Sequence, residues 1–169
     1  GDGRPLLYVA FGTAYNDQLP IYRAVAERFG GGDWRVVMAV GERIDPAMLG
    51  SVPGDVEVHR WVDQMAVLEQ ASVFVTHAGM GSTMQSLWHG VPTVAVPQAV
   101  DQFANAQRLA DIGAGRHLPA ADATPAALEE AVRAVATDPG IAARVADLRA
   151  EVRASGGAAH AADAVEDLL

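Results

Sequence analysis

Apolar runs rich in β-branched residues recur along this chain at 6–11 (LLYVAF), 34–40 (WRVVMAV), 56–61 (VEVHRW), 72–77 (SVFVTH) and 91–97 (VPTVAVP). A weaker run lies at 115–118 (GRHL). Most of the intervals have helical character. Ile21, Val25 and Phe29 stand four apart within 18–29, and the stretches 81–90 and 102–113 each end on a glycine suited to a helix C-cap. Strands that are apolar on both faces and alternate with helices specify a parallel sheet covered on both sides, which restricts the chain to an α/β fold. From Pro119 onward the pattern is helix alone. Thr124 and Pro125 supply an N-cap and a first helical position, while TDPG (137–140) and SGG (155–157) divide the tail into three helices. With no internal repeat and no linker, the 169 residues read as one domain.

The net charge is −9 and no Lys/Arg cluster stands out, which argues against broad nucleic-acid binding. A small phosphorylated ligand stays open, because backbone N–H groups at a helix start bind anions without lysine. No apolar run approaches the roughly 18 residues of a membrane span, and the first residues lack a signal-peptide cleavage site. The expectation is a soluble, cytoplasmic protein with no membrane or nucleic-acid partner. Cysteine is absent, which excludes disulfides and thiolate metal sites.

In open α/β sheets ligands bind beyond the carboxyl ends of the strands, and the chain's unusual residues fall mainly there. Gly12, Thr13 and Asn16 follow the first run and Arg43 the second. Trp61 ends the third; His77, Gly79, Gly81, Ser82 and Thr83 follow the fourth; Gln98, Asp101 and Gln102 follow the fifth. In 77–83, Gly79 and Gly81 permit close backbone approach and positive φ. Free N–H groups and the dipole of a helix starting near 81 favour an anion, Ser82 and Thr83 add hydroxyl donors, and His77 adds another donor. The competing reading is a helix start capped by Ser82, with His77 a satisfied core histidine. Trp61 is either a rim or core residue or a flat surface for a nucleobase. Asp101 and Gln102 are either a helix N-cap and first turn or a carboxylate and amide suited to the vicinal hydroxyls of a sugar. No P-loop motif is present, and the pattern G-x-G-x-x-G starting at Gly79 meets Met84 where its last glycine or alanine belongs. The five histidines show no metal-binding spacing, so no metal and no cofactor are expected.

The segment RWVDQMAVLEQASVFVTHAGMGSTMQSLWHGVPTVAVPQAVDQFANAQRL resembles the nucleotide-sugar signature of inverting GT-B glycosyltransferases of family 1. The forms HAGMGST and VPQAVDQFANA are similar to those of bacterial macrolide and related antibiotic glycosyltransferases. The likeness runs from YVAFGTAYN through the terminal helices. It implies a Rossmann-like parallel sheet, the C-terminal half of a GT-B fold, with residues 1–169 forming the nucleotide-sugar donor domain. By motif position, Trp61 would stack on the base, the backbone at Val62 would meet its edge, and Gln64 would lie near the ribose. His77 with Gly81, Ser82 and Thr83 would hold the diphosphate, with Gly12 and Thr13 opposite, and Asp101 and Gln102 would hydrogen-bond the sugar.

Gln85 departs from the family, which often has a Glu there that accepts from both ribose hydroxyls. An amide at that position makes a dTDP-deoxysugar more plausible as donor beside UDP-sugars. The family's catalytic base is a histidine of a preceding acceptor domain, so none of the histidines here is assigned as base. The implied activity is inverting transfer of a sugar from dTDP or UDP to a hydroxyl of a hydrophobic natural product such as a macrolide, and this chain by itself is expected to be inactive. The alternatives are a stand-alone nucleotide-sugar-binding module and the donor subunit of a two-chain transferase.

Overall fold

The structure is a computed structural model that describes residues 3–13 and 16–167. Six parallel strands form one sheet: β1 (Leu6–Ala10), β2 (Arg35–Ala39), β3 (Val56–His59), β4 (Val73–Thr76), β5 (Thr93–Ala95) and β6 (Gly115–His117). Their order is β3-β2-β1-β4-β5-β6. The expected Rossmann-like parallel α/β fold is therefore present, and its direction of winding reverses between β1 and β4, where such sheets open a crevice. The strands are shorter than the apolar runs. β5 keeps three residues because Pro92 and Pro97, which lack an N–H, bracket it. Trp61 does not end a strand as expected: β3 stops at His59, and the indole stands 75% exposed two residues further on.

Alternate residues of β1 feed opposite faces of the sheet. Leu7 and Val9 join Val36, Met38, Val73 and Val75 beneath α1 (Leu19–Phe29) and α5 (Pro125–Thr137). The four-residue spacing seen in the sequence places Ile21, Val25 and Phe29 against this layer, where α1 packs on α5. The Phe29 ring meets Trp34 edge-on at 5.9 Å. On the other face, Leu6, Tyr8 and Phe74 pack with Leu68 of the short helix α2 (Gln64–Leu68), and the Tyr8 and Phe74 rings stack at 4.8 Å. A third cluster, including Leu87, Leu109 and Leu148, joins α3 (Met80–His89), α4 (Gln102–Asp111) and α6 (Pro139–Ala154).

The tail divides as the sequence indicates. The Thr124 hydroxyl accepts from the Ala127 N–H at 3.2 Å to cap α5, and the Asp138 carboxylate accepts from Gly140 and Ile141 at 2.8 and 3.2 Å to cap α6. α7 (Gly157–Glu166) buries no residue. Among the described residues no helix is long and apolar enough to cross a membrane.

Candidate functional site

All six strands run the same way, so the loops after β1, β2, β3, β4 and β5 gather at one edge. Two hollows open there. One, of about 170 Å³, is bounded by Gly12, Thr13, Glu42, Arg60, Trp61, Val62 and Gln64 among others. The second, of about 320 Å³, is bounded by Gly12, Thr13, Gln64, His77, Gly79, Gly81, Ser82 and Gln85 among others. Because Gly12, Thr13 and Gln64 border both, the hollows are two reaches of one trough.

His77 borders its second reach. A Cβ on Gly12, whose φ is 70°, would lie 2.8 Å from His77 Nε2, and one on Gly79 would lie 2.5 Å from the same atom. Both positions therefore need glycine to make room for the imidazole. This corrects the expected role of positive φ in the loop: Gly79 has φ −62°, and the left-handed residue is Ala78, at φ 59°. A Cβ on Gly81 would meet open space. Burial pushes the His77 pKa below its ordinary value, opposed by a hydrogen bond to the Ala10 carbonyl and by the Asp101 carboxylate. Burial thus favours the neutral ring.

No side chain caps α3, whose N-cap is Gly79. Its first N–H groups have no intrahelical partner and point, with the helix dipole, at the trough. Ser82 is not the cap; its Oγ accepts from Gln64 Nε2 at 3.3 Å. Thr83 differs from expectation. Its side chain faces inward, and its buried Oγ1 has no protein partner, so it offers no donor to a ligand in this conformation.

Gln64 ties the two reaches together. The Tyr8 hydroxyl, kept protonated by burial, donates to Gln64 Oε1 at 3.1 Å, and Gln64 Nε2 donates to Gln85 Oε1. Tyr8 thus fixes which way the Gln64 amide points, and Gln64 in turn fixes Gln85. The Gln85 oxygen is engaged, and its free end is the N–H₂ group.

Asp101 is exposed beside Val100, which has φ 46°. Gln102 departs from the expected sugar contact. It is 5% exposed, and its Oε1 accepts from the Gln98 and Ala99 N–H groups at 2.8 and 3.0 Å. Its oxygen secures the loop. Asn16 is likewise buried, with Nδ2 donating to the Gly12 carbonyl at 3.0 Å.

Arg43 does not border the trough, whereas Arg60 and Glu42 do. Arg60 carries no signal of its own in the sequence because it lies inside the strand-like run 56–61. Among the described residues no three His, Asp or Glu side chains gather as a metal set.

Residues 23–168 match the family model described as "Erythromycin biosynthesis protein CIII-like, C-terminal domain". The chain is 41% identical over 99% of its length to an NDP-glycosyltransferase of Bacillus licheniformis, and 42% identical over 95% to the oleandomycin glycosyltransferase of Streptomyces antibioticus. It spans only 42% and 38% of those two proteins. Among solved structures, the glycotransferase of kitacinnamycin superposes with TM-score 0.93 at 44% identity, covering 100% of this chain and 44% of that one. The calicheamicin glycosyltransferase CalG4 does so with TM-score 0.93 at 37% identity, covering 98% and 43%. Sheet order, trough and sequence agree on one assignment: the chain belongs to the family of erythromycin biosynthesis protein CIII-like C-terminal domains, with the fold of the C-terminal half of GT-B glycosyltransferases.

Proposed function

We propose that the trough binds a nucleoside diphosphate sugar, and that the chain is the donor domain of an inverting glycosyltransferase. The observation that carries this reading is the continuity of the two hollows through Gly12, Thr13 and Gln64. It offers a base, a ribose and a diphosphate successive places along one path. The base stacks on Trp61 beside Val62, and the ribose lies at Gln64 and Gln85. The diphosphate meets the start of α3, Ser82 and His77, with Thr13 opposite. The sugar hydroxyls donate to Asp101.

A neutral imidazole has one N–H, and burial favours that form of His77, whose Nδ1 lies 3.5 Å from Thr76 Oγ1. The second ring nitrogen becomes a donor on protonation, which a diphosphate favours. Diphosphate binding is then coupled to proton uptake. In the reaction, His77 and the helix-start donors stabilise the charge that grows on the departing diphosphate. The acceptor is a hydroxyl of a hydrophobic natural product, activated by a general base in a separate, preceding domain. The donor is dTDP- or UDP-linked, and no cofactor or metal takes part.

Calorimetric titration with nucleoside, nucleoside monophosphate and nucleoside diphosphate tests the order of contacts. Trp61→Ala is expected to weaken all three by about 1–3 kcal/mol. His77→Ala is expected to spare the nucleoside and to weaken the diphosphate most. Equal losses across the series for His77→Ala would rule out its phosphate role.

A further inference from the structure

Two strained backbone corners lie in the loops at the carboxyl edge of the sheet and share a support. Ala78 follows β4 and Val100 follows β5, at φ 59° and 46°, where a side chain other than glycine crowds the backbone and a β-branched one does so most. Such corners persist only when their surroundings impose them. Asn105, in α4, bonds to both loops: its Nδ2 donates to the Ala78 carbonyl at 3.0 Å and to Asp101 Oδ2 at 3.1 Å. One turn earlier, Gln102 holds the rest of the second corner through the Gln98 and Ala99 N–H groups.

We infer that Asn105 is a positioning residue that sets the spacing between the phosphate loop and the sugar loop and aims the Asp101 carboxylate. It uses both hydrogens of one amide, one on each loop. A serine hydroxyl has a single proton and a carboxylate has none, so neither reproduces the link. With Oδ2 held by Asn105, Asp101 keeps Oδ1 for a sugar hydroxyl. Its charge also stays fixed relative to His77, on which it acts. The consequences for ligands rest on the nucleotide-sugar reading above; the consequences for the backbone do not.

The test uses this chain with Asn105→Ala and Asn105→Asp. Alanine favours a helix, so α4 is expected to persist, and aspartate keeps the shape of Asn105 without its donors. Carbon chemical shifts of Ala78 and Val100 report their backbone angles. In both variants they are expected to leave left-handed values while Phe74 and Val94 in the strands stay unchanged. Affinity for UDP-glucose or dTDP-glucose is expected to fall roughly tenfold, the effect of one lost hydrogen bond to a charged group, with uridine binding unaltered.

Unmoved corners in the aspartate variant would overturn the inference whatever the ligand does. Moved corners with unaltered UDP-glucose and dTDP-glucose affinity would overturn the role in sugar binding. Moved corners in a chain that ignores every nucleotide would support the positioning and count against the nucleotide site itself.

Discussion

At Gln85 a single engaged oxygen decides what the trough can ask of a ribose. Gln64 occupies Gln85 Oε1, so the side chain meets a ligand as a donor, and a donor has no means of accepting from two hydroxyl protons at once. Gln85→Glu keeps an oxygen for Gln64 and adds a second, charged one. The expected outcome is a shift of preference from dTDP toward UDP by about 1 kcal/mol, with dTDP binding at least as well as UDP before the change. Parallel titrations of both nucleotides check it, and a strong UDP preference in the unsubstituted chain would count against it. Trp61 and His77 stand out in the sequence because each is an unusual residue at the end of an apolar run, and both border the trough, whereas Asp101 lies in the loop after β5 and borders neither hollow. The inward turn of Thr83 and Gln102 is not legible in the sequence, since position along a chain does not tell which way a side chain turns. Asn105 and Tyr8 were missed because one sits inside a helical stretch and the other inside a strand, where each reads as structure alone.

The elements were more legible than the site because periodicity reports burial directly. Phe29 closes the repeat of Ile21 and Val25, and its ring fills the space between α1, α5 and Trp34 while Arg133 lies 5.9 Å over its face. Phe29→Ala is expected to cost about 3–5 kcal/mol, the usual toll for removing a buried aromatic ring, read as a lower denaturant midpoint at unchanged fold. A loss below about 1 kcal/mol would mean that the α1–α5 layer is not the main core. What escaped was short. α2 has five residues, less than two turns, so no repeat could develop, yet Asp63 caps it by accepting from Met65 and Ala66 at 3.1 and 3.2 Å. That helix delivers Gln64 to the centre of the trough. The strand ends are overextended for the opposite reason: the run 56–61 goes on past His59, where the register with β2 ends, and only the Arg60 carbonyl still accepts from the Gly41 N–H, at 3.0 Å.

For the whole molecule, every proposed donor contact arises within one chain, at one edge of a six-stranded sheet. The 169-residue chain is therefore expected to bind UDP and dTDP with modest affinity and to transfer no sugar, because the proposed base and the acceptor lie elsewhere. NMR perturbations at Thr13, Trp61, His77, Ser82 and Asp101, unchanged by EDTA, would bear this out. Turnover by the chain alone, or no response at millimolar ligand, would refute it. The strand order carries a further consequence, in time rather than space. β1 is paired on one side by β2, which follows it soon in the chain, but its other neighbour is β4, beginning only at Val73. Until β4 arrives, the apolar row Leu7–Ala10 presents an open edge that can template pairing with another copy. The seam between β1 and β4 also unites Gly12 and Thr13 with His77. The second reach of the trough and the aggregation hazard are thus expected to close in one long-range step, so that a diphosphate would protect the chain only once that edge is covered.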